Sequence, residues 1–255
     1  MSKCKENCKI YSQEEISPDI FSMWLEAPAI AEEARAGQFV SVYCRDGSRL
    51  LPRPISLCEI DRENGRLRLV YRIAGKGTQE FSKLHKGVSL PVLGPLGNGF
   101  TMKEEKAIIV GGGIGIPPML ELAKQLSCEK TVVLGYRDEL FLKDEFESYA
   151  DVVVATEDGS CGTKGTVIDA IKEAGVDGKV IYACGPMPML KALAEYAEAH
   201  DMEAQISLEE RMACGIGACL GCICKTKKKD HHTNVNNQRI CKDGPVFDAK
   251  EVVFS

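Results

Sequence analysis

Between Glu209 and Cys224 the chain reads EERMACGIGACLGCIC. Cys214, Cys219 and Cys222 stand there in a C-x4-C-x2-C run, and Cys241 follows downstream. Thiolates so spaced can converge on a metal group only from a loop too short to be a helix or a strand. It is the spacing by which plant-type [2Fe–2S] clusters are held, with a fourth thiolate arriving from further along the chain. Gly215, Gly217 and Gly221 lie between the thiols, where the backbone must turn tightly and bring N–H groups close to sulfur. A zinc knot or a set of buried thiols is the other reading. Zinc sites favour paired C-x2-C units, and only Cys219 and Cys222 form one within the run. A [2Fe–2S] cluster moves one electron at a time, so the rest of the chain should contain a source of electrons.

Twelve cysteines in 255 residues also raise the possibility of secretion with disulfides. The N-terminus, MSKCKENCKI, is polar and carries no apolar stretch of a signal peptide. No run approaches the about 18 apolar residues of a membrane span. The expectation is a reducing, cytoplasmic setting with no membrane contact. A net charge of −5 argues against nucleic acid as a partner. Cys44, Cys58 and Cys128 read as small core residues, and Cys4 and Cys8 as a pair at a mobile end. Lys225, Lys227, Lys228 and Lys229, followed by His231 and His232, read as a solvated loop between cysteine ligands, or as a docking edge for an acidic partner.

Residues 1–101 read as β-rich. Short apolar or alternating runs (Ile20–Leu25, Phe39–Cys44, Ile55–Ile60, Leu67–Ile73, Val88–Leu93) are separated by turn residues, Asn64-Gly65 among them. Their spacing predicts a small antiparallel barrel with one helix near Gly77–Leu84. From about residue 102 the pattern changes. Apolar strands at 107–110, 131–135, 152–155, 180–184 and 204–208 alternate with helices at 117–126, 139–149, 166–174 and 187–199. That alternation predicts a doubly wound parallel sheet over residues 102–208. The fold class is thus multidomain, a β-barrel beside an α/β unit, with a small cysteine-bearing segment and tail over 209–255.

Two turns suit a dinucleotide. Gly111, Gly112, Gly113 and Gly115 follow a buried strand and open a helix at Pro117-Pro118, where backbone can approach a pyrophosphate. Cys184, Gly185, Pro186 and Met187 form a second strand-to-helix turn. Turns at the carboxyl ends of parallel strands frame a ligand crevice. In the barrel, Arg53 after a proline is placed to reach phosphate, Gly77 and Thr78 open a helix as an anion-binding turn, and Ser56 offers a hydroxyl to a flavin ring nitrogen. A surface ion pair for Arg53 and a plain cap for Thr78 are the alternatives.

RPIS (Arg53–Ser56), GKGT (Gly75–Thr78), GGGIGIPP, CGPMPM, ERMACGIGACLGC and CKDGPVFDA together resemble the ferredoxin-reductase superfamily. More closely, they are similar to the electron-transfer subunits of type 1B dihydroorotate dehydrogenases, over nearly the whole chain. The resemblance implies an FAD-binding barrel, a nicotinamide domain and a C-terminal [2Fe–2S] domain. It assigns FAD to Arg53, Pro54, Ile55, Ser56, Tyr71, Arg72, Gly77 and Thr78, and NAD to the two turns above. The cluster falls to Cys214, Cys219, Cys222 and Cys241. Ile55 stands where an aromatic commonly stacks on the flavin, so stacking should be weaker or come from elsewhere, Tyr71 being the candidate. The implied partner is an FMN-containing dihydroorotate dehydrogenase catalytic subunit, in a heterotetramer of two of each, in pyrimidine biosynthesis. Hydride transfer between nicotinamide and flavin needs alignment rather than an acid or base, so no catalytic residue is expected. Arg137 could contact a 2′-phosphate, but Asp138 beside it opposes that, and the resemblance favours NAD. The rival on the same plan is the small diaphorase subunit of an NADH-dependent ferredoxin:NADP oxidoreductase or of a hydrogenase. The bifurcating subunit is expected to use an aspartate among its cluster ligands, and here all four positions are cysteine. A reading of another class is a non-redox zinc-binding regulatory protein.

Overall fold

The computed structural model describes residues 3–230 and 234–254. The first strands, β1 (Cys4–Ser17), β2 (Ile20–Glu26), β3 (Phe39–Val42), β4 (Arg53–Asp61), β5 (Arg66–Arg72) and β6 (Ser89–Leu96), close an antiparallel barrel in the order β1-β2-β5-β4-β3-β6. Alternate residues point inward, and Ile10, Leu25, Leu57, Leu69 and Leu90 meet in the barrel core. Two short helices accompany it, α1 (Pro28–Glu33) and α2 (Lys76–Phe81); sequence periodicity gives only the second.

The N-terminus corrects one expectation. Cys4 and Cys8 do not lie on a mobile end; they belong to β1, which pairs with both β2 and β6 and closes the barrel. Cys8 is fully buried. Most exposed positions of β1 are charged (Lys5, Lys9, Glu14 and Glu15), and that masked its strand character. Of the other three cysteines assigned to the core, Cys58 is buried, whereas Cys44 and Cys128 are half-buried.

The second unit runs β7 (Ala107–Gly112), α3 (Pro117–Gln125), β8 (Lys130–Tyr136), α4 (Lys143–Phe146), β9 (Asp151–Thr156), β10 (Thr163–Lys164), α5 (Val167–Glu173), β11 (Val180–Cys184), α6 (Met187–Ala199) and β12 (Glu203–Ser207). These strands pair in parallel. On β7, Ile108 and Val110 face a core shared with α5 and α6, while Ala107 and Ile109 face a core shared with α3 and α4. The sheet is therefore covered on both faces, which is why its strands read as continuous apolar runs. The helix expected over 139–149 shrinks to α4: Leu142 takes a left-handed φ of 62° and the Tyr136 hydroxyl donates to the Phe141 carbonyl, fixing a turn there.

Beyond the cysteine run, β13 (Ile223–Lys225) and β14 (Asn237–Arg239) form a small antiparallel ladder. A last strand, β15 (Val246–Asp248), then adds antiparallel to β12 and extends the parallel sheet. Val252 is buried and Phe254 packs against the same core, so the tail is held down.

The two large units are locked together. Buried Arg68 of β5 binds Ser22 at 2.9 Å and Glu59 at 2.8 Å, and reaches Glu145 of α4 at 3.0 Å. Glu121 of α3 accepts the Ile60 N–H of β4 at 2.8 Å. Burial pushes its carboxyl above the usual range, against the pull of that bond. The α3 helix, which starts at the glycine-rich turn, thus lies along the strand that begins with Arg53.

Candidate functional site

Arg53 opens β4, and its guanidinium lies over Gly77 at the start of α2. A Cβ on Gly77 would fall 1.9 Å from the Arg53 Nε, so only glycine permits this approach. The guanidinium also bonds the Leu51 carbonyl. Thr78 is folded back: its hydroxyl accepts the N–H groups of Ala74 at 2.9 Å and Gly75 at 3.2 Å. It closes the turn from the third position of α2, with Gly75 rather than Thr78 in the cap position. Pro54 and Arg72 are exposed, Ser56 is half-buried, and Ile55 is buried among the barrel residues.

The Tyr71 ring does not offer a free face for flavin stacking. It is 3% exposed, stacks on Phe21 at 5.9 Å between centroids and meets the edge of Phe81. Its hydroxyl bonds Gln13 at 3.0 Å. Only the Tyr71 backbone, with Arg72 next to it, is left to contribute.

The two nucleotide turns are neighbours because β7 and β11 pair, with Gly111 opposite Cys184. A Cβ on Gly115 would lie 2.4 Å from the Cys184 carbonyl oxygen, and one on Gly112 would lie 2.5 Å from the Met189 sulfur. Gly113 takes a left-handed φ of 53° and has open space beside it. β7 is the point where the winding reverses, with β8 on one side and β11 on the other, so the crevice lies where open α/β sheets bind ligands. Met187 is exposed at its edge. Burial pushes the Cys184 thiol up to about 12, against the pull of a hydrogen bond to Ser207, so it stays a neutral thiol. At the end of β8, Tyr136 is buried and Arg137, Asp138 and Glu139 are exposed.

The cysteines come together from two segments. The backbone N–H groups of Ala218 and Cys219 donate to the Cys214 sulfur at 3.3 and 3.4 Å, and Gly221 N–H donates to Cys219 at 3.4 Å. Cys241 N–H donates to the Cys222 sulfur at 3.4 Å. The Cys214 thiol is also hydrogen-bonded to Cys219, and the Cys241 thiol to Cys222. The four thiols thus form two neighbouring pairs, an arrangement that suits a two-iron cluster, and the surrounding N–H donors suit thiolate sulfur. Among the described residues, no His, Cys, Asp and Glu group is drawn tightly enough to grip a single ion. Burial would push Cys214 up, but the N–H groups around it and the Cys219 thiol outweigh that and bring it down to about 6. Burial and the adjacent Cys222 push Cys241 up to about 12, a cost that a metal's positive charge relieves. Cys224 sits on β13, and burial pushes it up to about 11, in keeping with a structural thiol.

Two contacts that sequence reasoning missed join this loop to the barrel. A Cβ on Gly215 would lie 2.8 Å from the Ser41 hydroxyl of β3, and Ser41 is paired with Pro54. The Asn98 side chain, just past β6, donates to the carbonyls of Lys242 at 3.2 Å and Asp243 at 2.9 Å. Ser41 carries no local signal; Gly97-Asn98-Gly99 is visible in sequence only as a turn. In the basic loop Lys228 pairs with Glu251 of the tail, while Lys225, Lys227 and Lys229 are exposed. His231 and His232 lie outside the described residues.

Comparison with known proteins agrees with this layout. Residues 7–100 match the oxidoreductase FAD-binding domain, residues 109–195 the oxidoreductase NAD-binding domain, and residues 209–253 the iron–sulfur cluster binding domain of dihydroorotate dehydrogenase B. The chain is 43% identical to the dihydroorotate dehydrogenase B (NAD(+)) electron transfer subunit of Fusobacterium nucleatum, over 97% of this chain and 98% of that one. It is 44% identical to the subunit of the same name from Streptococcus mutans, over 98% of each. Among solved structures, that of an NADH-dependent reduced ferredoxin-NADP oxidoreductase aligns with a TM-score of 0.88 at 30% identity, covering 98% of this chain and 90% of that one. No helix among the described residues is long and apolar enough to cross a membrane. With barrel, crevice and cysteine loop in this order, and identity of this degree from end to end, the chain belongs to the family of dihydroorotate dehydrogenase B electron transfer subunits.

Proposed function

We propose that this chain carries electrons between an FMN-containing, dihydroorotate-oxidising catalytic subunit and NAD, in pyrimidine biosynthesis in the cytoplasm, as half of a heterotetramer of two subunits of each kind. The observation that carries the reading is the convergence of three sites on the barrel. The cluster loop packs on β3 at Ser41, β3 pairs with the strand that opens at Arg53, and α3, which starts at the glycine-rich turn, packs along that same strand through the Glu121–Ile60 bond while the turn itself lies against β5. When bound, flavin exchanges hydride with nicotinamide and single electrons with a [2Fe–2S] cluster, which is the conversion such a chain requires.

The residues of the chain bind and orient. Arg53 and the backbone at Gly77 and Thr78 would hold the pyrophosphate of FAD, and Pro54, Ile55, Ser56 and the Tyr71-Arg72 backbone would complete its strand-side cradle. Gly111, Gly112, Gly113 and Gly115 let the backbone close on the pyrophosphate of NAD, with Cys184, Gly185, Pro186 and Met187 forming the opposite wall. Cys214, Cys219, Cys222 and Cys241 would hold the cluster. No side chain is required as acid or base, because the reacting rings need alignment alone.

Identity of 43–44% to dihydroorotate dehydrogenase B subunits, against 30% to the ferredoxin-NADP oxidoreductase structure, favours this reading over the bifurcating one. Purified protein is expected to be yellow-brown with flavin and iron–sulfur absorption; a colourless, zinc-loaded protein contradicts it. In a dye-reduction assay NADH is expected to be preferred over NADPH by roughly 100-fold in kcat/KM, because Asp138 and Glu139 directly follow Arg137 and repel a 2′-phosphate. A preference for NADPH overturns the choice of coenzyme.

A further inference from the structure

The cluster reading places three ligands, Cys214, Cys219 and Cys222, on one short segment and the fourth, Cys241, on a turn 19 residues after Cys222, so something must set the two segments in register. The turn around Cys241 is closed by one ion pair. Arg239 and Asp243 stand on either side of it, with Arg239 Nε 3.0 Å from Asp243 Oδ2 and Nη2 3.3 Å from Oδ1. The same carboxylate accepts the Arg239 backbone N–H at 2.8 Å, and the Arg239 carbonyl accepts the N–H groups of Lys242 at 3.0 Å and Asp243 at 2.7 Å. The pair is largely shielded, with side-chain exposures of 12% and 26%.

The remaining arm of the fork crosses to the other segment. Arg239 Nη1 donates to the Gly217 carbonyl at 3.4 Å, in the middle of the Cys214–Cys219 loop. Gly217 is in contact with the turn on another side as well: a Cβ there would lie 2.8 Å from the Lys242 side chain. Its φ of 86° requires glycine. Guanidinium is suited to this task because its planar fork can bind a carboxylate with two nitrogens and still present a third; an ammonium cannot.

We propose that Arg239 is a positioning residue for the cluster, its guanidinium fixing the Cys241 turn through Asp243 and the Cys214–Cys219 loop through the Gly217 carbonyl. The inference rests on the cluster reading above. Groups that support metal ligands from behind typically matter by ten- to a hundredfold in metal affinity. The Arg239 side chain bonds Asp243 and Gly217, both within the cysteine segment, so flavin binding should not depend on it.

The test uses the purified, cluster-loaded full chain and follows iron release to a chelator, with flavin content and the EPR spectrum of the reduced protein recorded alongside. Arg239→Gln and Arg239→Lys are both expected to lose iron roughly tenfold faster or more, with altered EPR line shape and unchanged flavin content. Asp243→Asn should behave alike, and the Arg239→Gln/Asp243→Asn double variant should be no worse than the poorer single variant by more than about twofold, because the two residues act as a unit. Wild-type iron retention and spectrum in Arg239→Lys overturns the inference, since charge alone would then suffice. Additive losses in the double variant, or joint loss of flavin and iron, also overturn it. Absence of a cluster from the wild-type chain is a different result and removes the cluster reading itself.

Discussion

Replacing Cys219 by serine is expected to abolish the [2Fe–2S] absorption and EPR signal while leaving flavin bound. Cys219 is an exposed member of the cysteine run, and its sulfur receives the Gly221 N–H and contacts Cys214. A serine hydroxyl has nearly the same size, so the fold should lose little, within about 0.5 kcal/mol for an exposed site. What changes is donor chemistry: a hard, protonated oxygen replaces a soft thiolate in a set that suits iron–sulfur bonding. Electron transfer that needs the cluster should fall by about 100-fold or more, beyond the loss seen when only a group supporting a ligand is removed. NADH oxidation by a dye that draws on the flavin should stay within about twofold of wild type, because neither the barrel nor the crevice includes Cys219. A normal [2Fe–2S] EPR spectrum in the variant shows that the ligand is another residue.

The second large effect is expected from Gly115→Ala. The new methyl would stand 2.4 Å from the Cys184 carbonyl oxygen, 2.5 Å from its carbon and 2.6 Å from the Gly185 nitrogen. All three are backbone atoms at the end of a fully paired strand, so none can swing aside. The glycine-rich turn and the Cys184–Met187 turn must separate, at a cost of about 1–3 kcal/mol in stability. These turns are the proposed walls of the nicotinamide crevice, and a displacement of the order of 1 Å there should lower kcat/KM for NADH by roughly 100-fold. Gly47→Ala serves as control: nothing lies within 4 Å of its added Cβ. Urea unfolding and steady-state dye reduction measure the two effects. Unchanged NADH kinetics in Gly115→Ala would separate this turn from coenzyme binding.

How much of this was legible from residues alone follows from how local the chemistry is. The cysteine run, the glycine-rich turn and the Cys184–Met187 turn announce themselves because each packs its function into a few adjacent positions. β11 and α6 are found at their sequence-based limits, since a buried apolar strand and a proline-led helix carry strong local signals. β1 was hidden because most of its outward positions are charged and only a few residues face the core. β15 is too short to show a period, and its place beside β12 depends on the path of the cysteine segment. Tyr71 invited a stacking role by its type and position, but barrel closure turns its ring inward onto Phe21 and Phe81. Ser41, Asn98 and the Arg239–Gly217 bond escape sequence reading for a common reason. Each joins residues far apart in the chain, and only the folded barrel and sheet decide which of them meet.

The account as a whole stands on electrons passing through this chain from dihydroorotate to NAD. The most direct measurement mixes the purified chain with the FMN-containing catalytic subunit and follows NADH formation after dihydroorotate is added. Rapid NADH formation that requires both proteins, and that falls by about 100-fold with the Cys219→Ser chain, is the predicted result. NADH formation by the catalytic subunit alone, or at full rate with the Cys219→Ser chain, would contradict it.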